Sequence, residues 1–356
     1  MQTGKRLLAL LSILVLASQS FAVNVNDNVD DYVKQAMTKH QIPGMTVAVV
    51  KSGKVLKLKG YGVASVEFDV PATEHTVYQL FSVSKLFAGI AVMKLVEDGK
   101  LTLDTPVSEI IEDAPPAWKA LHIRHLLTHT SGLPEMSANP RYVALAEDQK
   151  RRLTATEEIG FVAELPLKFA PGEKFSYHQS GFRMLGVIVE KLTKQTYSEF
   201  LRARVFEPLG MTAQFGGTEA AVIKRRAPTS YYRESDTLRG WIYPFSVRDY
   251  PAAGLNSSAG DLARFLLALD AGKVLKPESM HALLTPVRLN DGSEKGYGLG
   301  WTIGEHKNRK VVGHEGGGAI WVAHFPAEHL SVVVLCNLNG ARADEIQYAI
   351  ADLYLG

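Results

Sequence analysis

"YQLFSVSKLFAG", residues 78–89, sets two serines and a lysine in an otherwise apolar run. From Ser82 to Gly99 the apolar residues Leu86, Ile90, Met93 and Val96 recur at helical spacing, and Gly99 is a plausible stop. On that helix Ser82 and Lys85, three apart, share a face. Ser84 points about 100° away around the axis. The spacing therefore pairs Ser82, not Ser84, with the amine.

That pairing has chemical content. A serine hydroxyl is a poor nucleophile until a neighbour takes its proton. A lysine in a partly apolar site has its charged form disfavoured and can accept one. A helix start adds backbone N–H groups that favour an alkoxide and an oxyanion. The motif alone is equally compatible with a serine that caps the helix and a lysine that reaches for solvent.

Working outward, the flanking periods suggest one architecture. "VDDYVKQAMTKH" (29–40) is helical in pattern, and "MTVAVVKSGKVLKLKGYGVA" (45–64) reads as two strands around a turn at Ser52–Gly53. The middle of the chain is rich in helical segments. Residues 180–206 read as two helices broken near Thr193, and "SAGDLARFLLALDAG" (258–272) as a helix capped by Ser258. The period then changes to two, and "YGLGWTIGEH", "KVVGHEGG", "AIWVAHF" and "LSVVVLCNL" read as four strands before a closing helix at 343–355. Two early strands and four late ones predict an α+β fold: one antiparallel sheet built from both ends of the chain, flanked by helices, with an inserted, mostly helical lobe. The expected partition is residues 23–80 and 245–356 for the α/β lobe and 81–244 for the helical one, within a single catalytic domain from 23 to 356. A cleft between the lobes is the natural site.

Composition narrows the classes. Of 356 residues, 46% are apolar and 21% charged, as in a globular chain with a sizeable core. Lys5 and Arg6, the apolar run "LLALLSILVLA" and the small-residue end "SQSFA" read as a signal peptide cleaved after Ala22. Those two cations are the segment's only charges, so cleavage takes the formal charge from +2 to zero. A neutral mature chain offers no electrostatic case for nucleic acid or for a membrane surface. The "KRR" triplets at 150–152 and 224–226 read as solvated patches. Cys336 is the only cysteine and lies in a strand-like apolar run, where a thiol is a small core residue. Export without an intramolecular disulfide suggests a periplasmic or secreted bacterial protein.

Two further segments carry polar groups. "PGEKFSYHQSGF" (171–182) places Tyr177 at the mouth of a helix, where a phenol near an ammonium could relay a proton. "VVGHEGGGAIWVAHF" (311–325) puts His314 on a strand ahead of three glycines; alternation turns His314 and Gly316 one way and Glu315 the other. The glycines would let a substrate backbone approach closely. In "HIRHLLTH", His125 and His129 have a spacing that can bind zinc, but no acidic residue accompanies them, and no metal site is expected.

S-x-x-K, then Y-x-Q in place of Y-x-N, then H-x-G, in this order, resembles the serine β-lactamase-like family of class C β-lactamases, DD-carboxypeptidases and esterases. "GKLTLDTPV", "IRHLLTHTSGLP", "EPLGMT", "PAAGLNSSAGDLARF" and "YGLGW" are similar to the family's usual segments in its usual order. The resemblance implies that Ser82 is the acylated nucleophile, Lys85 assists its deprotonation, Tyr177 is the partner base, and His314 is the polar group of the third motif. It implies an oxyanion hole from the N–H groups of Ser82 and Gly317, substrate contacts at Gln179 and Gly316, no metal or organic cofactor, and a small-molecule or short-peptide substrate. Two departures stand out. Gln179 carries one methylene more than the usual asparagine, which puts its reach to Lys85 in question. His314 replaces a permanently charged lysine, which favours an esterase or a peptidase for D-amino-acid peptides over a β-lactamase.

Overall fold

The run "SVVVLC" is apolar at every other position and in between, the mark of a strand covered on both faces. In the computed structural model, which describes residues 25–146, 149–150, 153–215, 224, 230–241 and 250–356, it forms the middle of a seven-stranded antiparallel sheet. We label the strands β1 (Gly44–Lys51), β2 (Lys54–Ser65), β3 (Val70–Pro71), β4 (Thr302–His306), β5 (Arg309–Gly316), β6 (Ile320–Phe325) and β7 (Leu330–Cys336). Their order is β4-β5-β6-β7-β1-β2-β3. The two ends of the chain meet where β1 pairs with β7, Val47 opposite Val334 and Val49 opposite Val332. Ser52 and Gly53 join β1 to β2 with φ of 48° and 76°. Two such positive values make the mirror-image turn that suits twisted strands.

Helices cover both faces. Helix α1 (Val25–His40) and the C-terminal α5 (Ala343–Leu355) pack together on one side. On the other lie α2 (Ser84–Glu97), α3 (Ser180–Thr193) and α4 (Ala259–Asp270), the last against β1 and β7. Ser258 caps α4 by accepting the Asp261 N–H at 3.2 Å, as its sequence suggests. Cys336 is buried and its thiol is pushed up by burial, consistent with a core residue.

Several expectations are corrected in detail. The segment 297–301 is not strand: Gly298 N–H closes back on the Trp301 carbonyl at 2.8 Å, and the turn is pressed against α2. A Cβ at Gly89 would lie 2.0 Å from the Leu299 carbonyl oxygen, so only glycine admits this approach. Ser82 does not start the α-helix; it sits on a 3-10 turn, Phe81–Val83, that runs into α2. The inserted region also holds a hairpin, Ser230–Glu234 with Thr237–Trp241, tied to the end of β7 through both main-chain groups of Tyr231. A small sheet of Val77–Gln79, Leu255–Ser258 and Gln214–Phe215 lies beneath the 3-10 turn's approach. The signal-like residues 1–22, cleavage point included, and the arginines of both "KRR" triplets fall outside the described residues.

Candidate active site

Phe81, immediately before Ser82, has φ +47°, a left-handed backbone that a bulky residue adopts only under constraint. It turns the chain sharply from the small sheet into the 3-10 turn. In a 3-10 turn residues three apart eclipse one another. Ser82 Oγ and Lys85 Nζ accordingly stand 3.3 Å apart. Ser84 is excluded as the partner, because its buried Oγ accepts the Leu255 N–H at 3.1 Å.

Lys85 is 0% exposed. Besides Ser82, its amine donates to the Gln179 Oε1 and to the Ala252 carbonyl, each at 2.8 Å. Both of those oxygens can only accept. Once it has given up a proton, the amine can satisfy them with two N–H bonds and turn its lone pair to a hydroxyl proton. The ring of Tyr177 lies beside the amine, 4.9 Å from centroid to Nζ, and that of Phe182 5.4 Å away. Tyr177 itself is 43% exposed, so its ring borders both the buried amine and solvent.

The longer arm of Gln179 therefore does reach Lys85. Its own backbone explains how the side chain is free to do so. Gln179 is the residue that begins α3, yet its side chain caps nothing. Glu135 supplies the cap from another segment, accepting the Gln179 N–H at 2.6 Å and the Ser180 hydroxyl at 3.2 Å. A carboxylate there also suits the positive end of the helix.

The third motif meets this cluster from β5. The Tyr177 and His314 rings are 6.1 Å apart. His314 is 4% exposed, with Nε2 3.0 Å from the Tyr297 hydroxyl and Nδ1 2.6 Å from the Glu315 carbonyl. Burial, reinforced by the Lys85 charge, pushes its pKa down to about 3. At neutral pH the imidazole is uncharged. His129, also buried, is held well below its ordinary value by burial first and by His178, Lys85 and His314 after it. Its φ is +57°, beyond the end of the short helix Ile123–Leu127 that carries His125, so the two do not form a zinc-type pair on one helical face. His129 instead packs against Tyr177 at 4.2 Å and Tyr297 at 4.8 Å between ring centroids.

Glycines end β5 because the 3-10 turn lies against it. A Cβ at Gly316 would sit 2.3 Å from the Leu80 carbonyl, and one at Gly317 3.0 Å from the Phe81 ring. What approaches Gly316 is thus this chain's own backbone, where the sequence suggested a substrate's. Gly317, at φ +57°, is brought beside the segment that carries Ser82. Among the described residues neither the Ser82 N–H nor the Gly317 N–H has an acceptor. Two free donors flanking a serine are what a developing oxyanion requires. On the far side of β5, Glu315 accepts the Gly318 N–H at 2.5 Å and so fastens the turn.

Sequence reasoning did not assign Tyr297, His129, Glu135 or Ala252 to the site. Tyr297 lies in "YGLGW", read as strand, and His129 in "HIRHLLTH", weighed only for a zinc-type spacing. Ala252 acts through its carbonyl, which every residue type has.

The Beta-lactamase family model matches residues 29–355. Protein flp of Staphylococcus aureus (strain N315) is 28% identical over 323 residues, which cover 87% of this chain and 63% of that protein. Penicillin-binding protein 4* of Bacillus subtilis (strain 168) is 28% identical over 305 residues, 78% of this chain and 64% of that one. The chain thus spans less than two thirds of the length of these curated relatives. Among solved structures, the octameric penicillin-binding protein homologue from Pyrococcus abyssi has a TM-score of 0.80 at 28% identity, over 93% of this chain and 77% of that one. The D-amino acid amidase from Ochrobactrum anthropi SV3 has a TM-score of 0.77 at 21% identity, over 93% and 98% of the two chains, and at that identity is similar in fold alone.

Proposed function

The chain belongs to the Beta-lactamase family, and from that premise we propose that it is an exported serine hydrolase that acts on an ester or an amide by acyl transfer. Ser82 Oγ attacks the carbonyl carbon while its proton passes to Lys85. The oxyanion is held by the N–H groups of Ser82 and Gly317. As the carbonyl re-forms, the bond to the leaving group breaks, and that group takes a proton through Tyr177 and Lys85. Water, deprotonated by the same pair, then releases the acid and restores Ser82.

The observation that carries this reading is the Lys85 amine, buried and bound to two obligate acceptors with Ser82 as its third neighbour. Structural relatives that include a D-amino acid amidase and EstCE1, a hydrolase with promiscuous acyltransferase activity, support the reaction class through the shared fold. The neutral His314 supports an ester over a β-lactam, because no permanent cation stands at the third motif to meet a carboxylate. A catalytically silent member that binds peptidoglycan fragments or a partner protein is the alternative, and it would be favoured by a Gln179 that misses Lys85, whereas the amide oxygen lies 2.8 Å from the amine. The export part of the proposal rests on the basic start and apolar run of residues 5–22.

A fluorescent alkyl phosphonate tests the reading. The protein is expected to label, and Ser82→Ala to abolish the label; an unlabelled wild type, or a labelled Ser82→Ala, overturns it. Parallel assays on p-nitrophenyl butyrate, a D-Ala-D-Ala peptide and nitrocefin then rank esterase, peptidase and lactamase activity.

A further inference from the structure

Behind Tyr177 runs a buried chain of hydrogen bonds whose direction is fixed at both ends. It begins at the His178 main-chain N–H, 3.3 Å from His129 Nδ1. It continues from His129 Nε2 to the Tyr297 hydroxyl at 3.2 Å, and from that hydroxyl to His314 Nε2 at 3.0 Å. It ends where His314 Nδ1 meets the Glu315 carbonyl at 2.6 Å. A main-chain N–H can only donate and a carbonyl can only accept. His129 must therefore accept at Nδ1 and carry its proton on Nε2. His314 must donate at Nδ1 and accept at Nε2. The Tyr297 hydroxyl, between them, accepts from His129 and donates to His314. Reversing it would set two donors, or two acceptors, face to face in a site where His129, Tyr297 and His314 are at most 4% exposed.

We propose that Tyr297 is a positioning residue that locks His314 as the neutral Nδ1–H tautomer and leaves that ring no N–H to offer a substrate, so that the site selects acyl donors without a carboxylate at the third-motif position. The selected class is neutral esters and amides. Selection rests on the acyl-transfer reading above, whereas the tautomers do not. Burial, which keeps both histidines uncharged and the Tyr297 phenol protonated, agrees with this arrangement.

Two measurements test it. Long-range proton–nitrogen NMR of the unliganded full chain at neutral pH is expected to show His314 as the Nδ1–H form and His129 as the Nε2–H form. His314 protonated on Nε2, or on both nitrogens, overturns the proposal, whether or not the protein turns anything over. The second compares kcat/KM for p-nitrophenyl butyrate with that for nitrocefin, which bears a carboxylate. In Tyr297→Phe, which keeps the ring and removes only the hydroxyl, the ester-to-nitrocefin ratio is expected to fall about tenfold, the size of one buried hydrogen bond. An unchanged ratio in a variant that still labels with phosphonate and keeps its near-ultraviolet dichroism overturns the selection. A wild type that fails to label fails the acyl-transfer reading instead, and leaves the NMR result standing.

Discussion

Ser82 Oγ and Lys85 Nζ face each other at 3.3 Å across the joint between a 3-10 turn and an α-helix. Neither element alone holds them there. The left-handed Phe81 delivers the serine, and the Ala252 carbonyl and Gln179 amide aim the amine.

If Lys85 takes the serine proton, Lys85→Ala lowers kcat on an activated ester by at least about a hundredfold, the low end of general-base contributions. Steady-state turnover measures it. Near-normal kcat in a folded Lys85→Ala variant would take the amine out of the mechanism.

Glu315 acts from outside the pocket by holding the Gly318 N–H. Glu315→Ala should let the Gly317 turn relax and cost about tenfold in kcat, less than deletion of an oxyanion donor outright. KM should change less. Glu315→Gln keeps an oxygen acceptor and should retain most of the activity; equal losses in the two variants would show that the carboxylate's charge, not its acceptor, matters.

The buried histidines set an acid limit on stability. His314 and His324 are depressed by burial to about 3 and about 4, while an unfolded chain titrates them near 6.5. As pH falls below about 6.5 the unfolded state takes up protons that the folded state refuses, so stability is full above that pH and declines below it. Each such histidine contributes a slope of about 1.4 kcal/mol per pH unit. Urea midpoints between pH 7 and pH 5 should fall, and fall less steeply in His324→Asn. An unaltered slope in that variant would mean His324 is not kept neutral in the fold.

Arg183 on α3 and Glu158 are 3.3 Å apart, with side chains 9% and 4% exposed. Arg183→Met removes an ion-pair partner of a buried carboxylate and should cost about 3–5 kcal/mol. The double variant with Glu158→Leu should recover much of that by chemical denaturation. A double variant as unstable as the single would assign the loss to packing.

How much of this could be read from the residues alone follows from what leaves a periodic trace. The doubly covered β1 and β7, the alternating β5 and the capped α4 all carry their pattern in consecutive residues, and their bounds shift by only a few positions. The Ser82–Lys85 pairing was legible for the same reason, since one turn separates them. The hairpin at 230–241 was not, because "SYYRE" and "TLRGW" are short, polar strands stabilised by the end of β7, about a hundred residues later. Nor was the Tyr297–His129 contact, which joins positions 168 apart through one hydroxyl. The left-handed Phe81 gives no signal, because nothing in a phenylalanine announces it.

The pairing of β1 with β7 also governs when the protein can come into being. A growing chain completes β1 after some fifty residues, but the neighbour that covers its other edge ends at Cys336. Until residues 330–336 are available, the central sheet has an open seam between β1 and β6. Such long-range closure favours slow, late folding. A half-made chain therefore lacks the joined sheet, and the candidate site comes together in one late step.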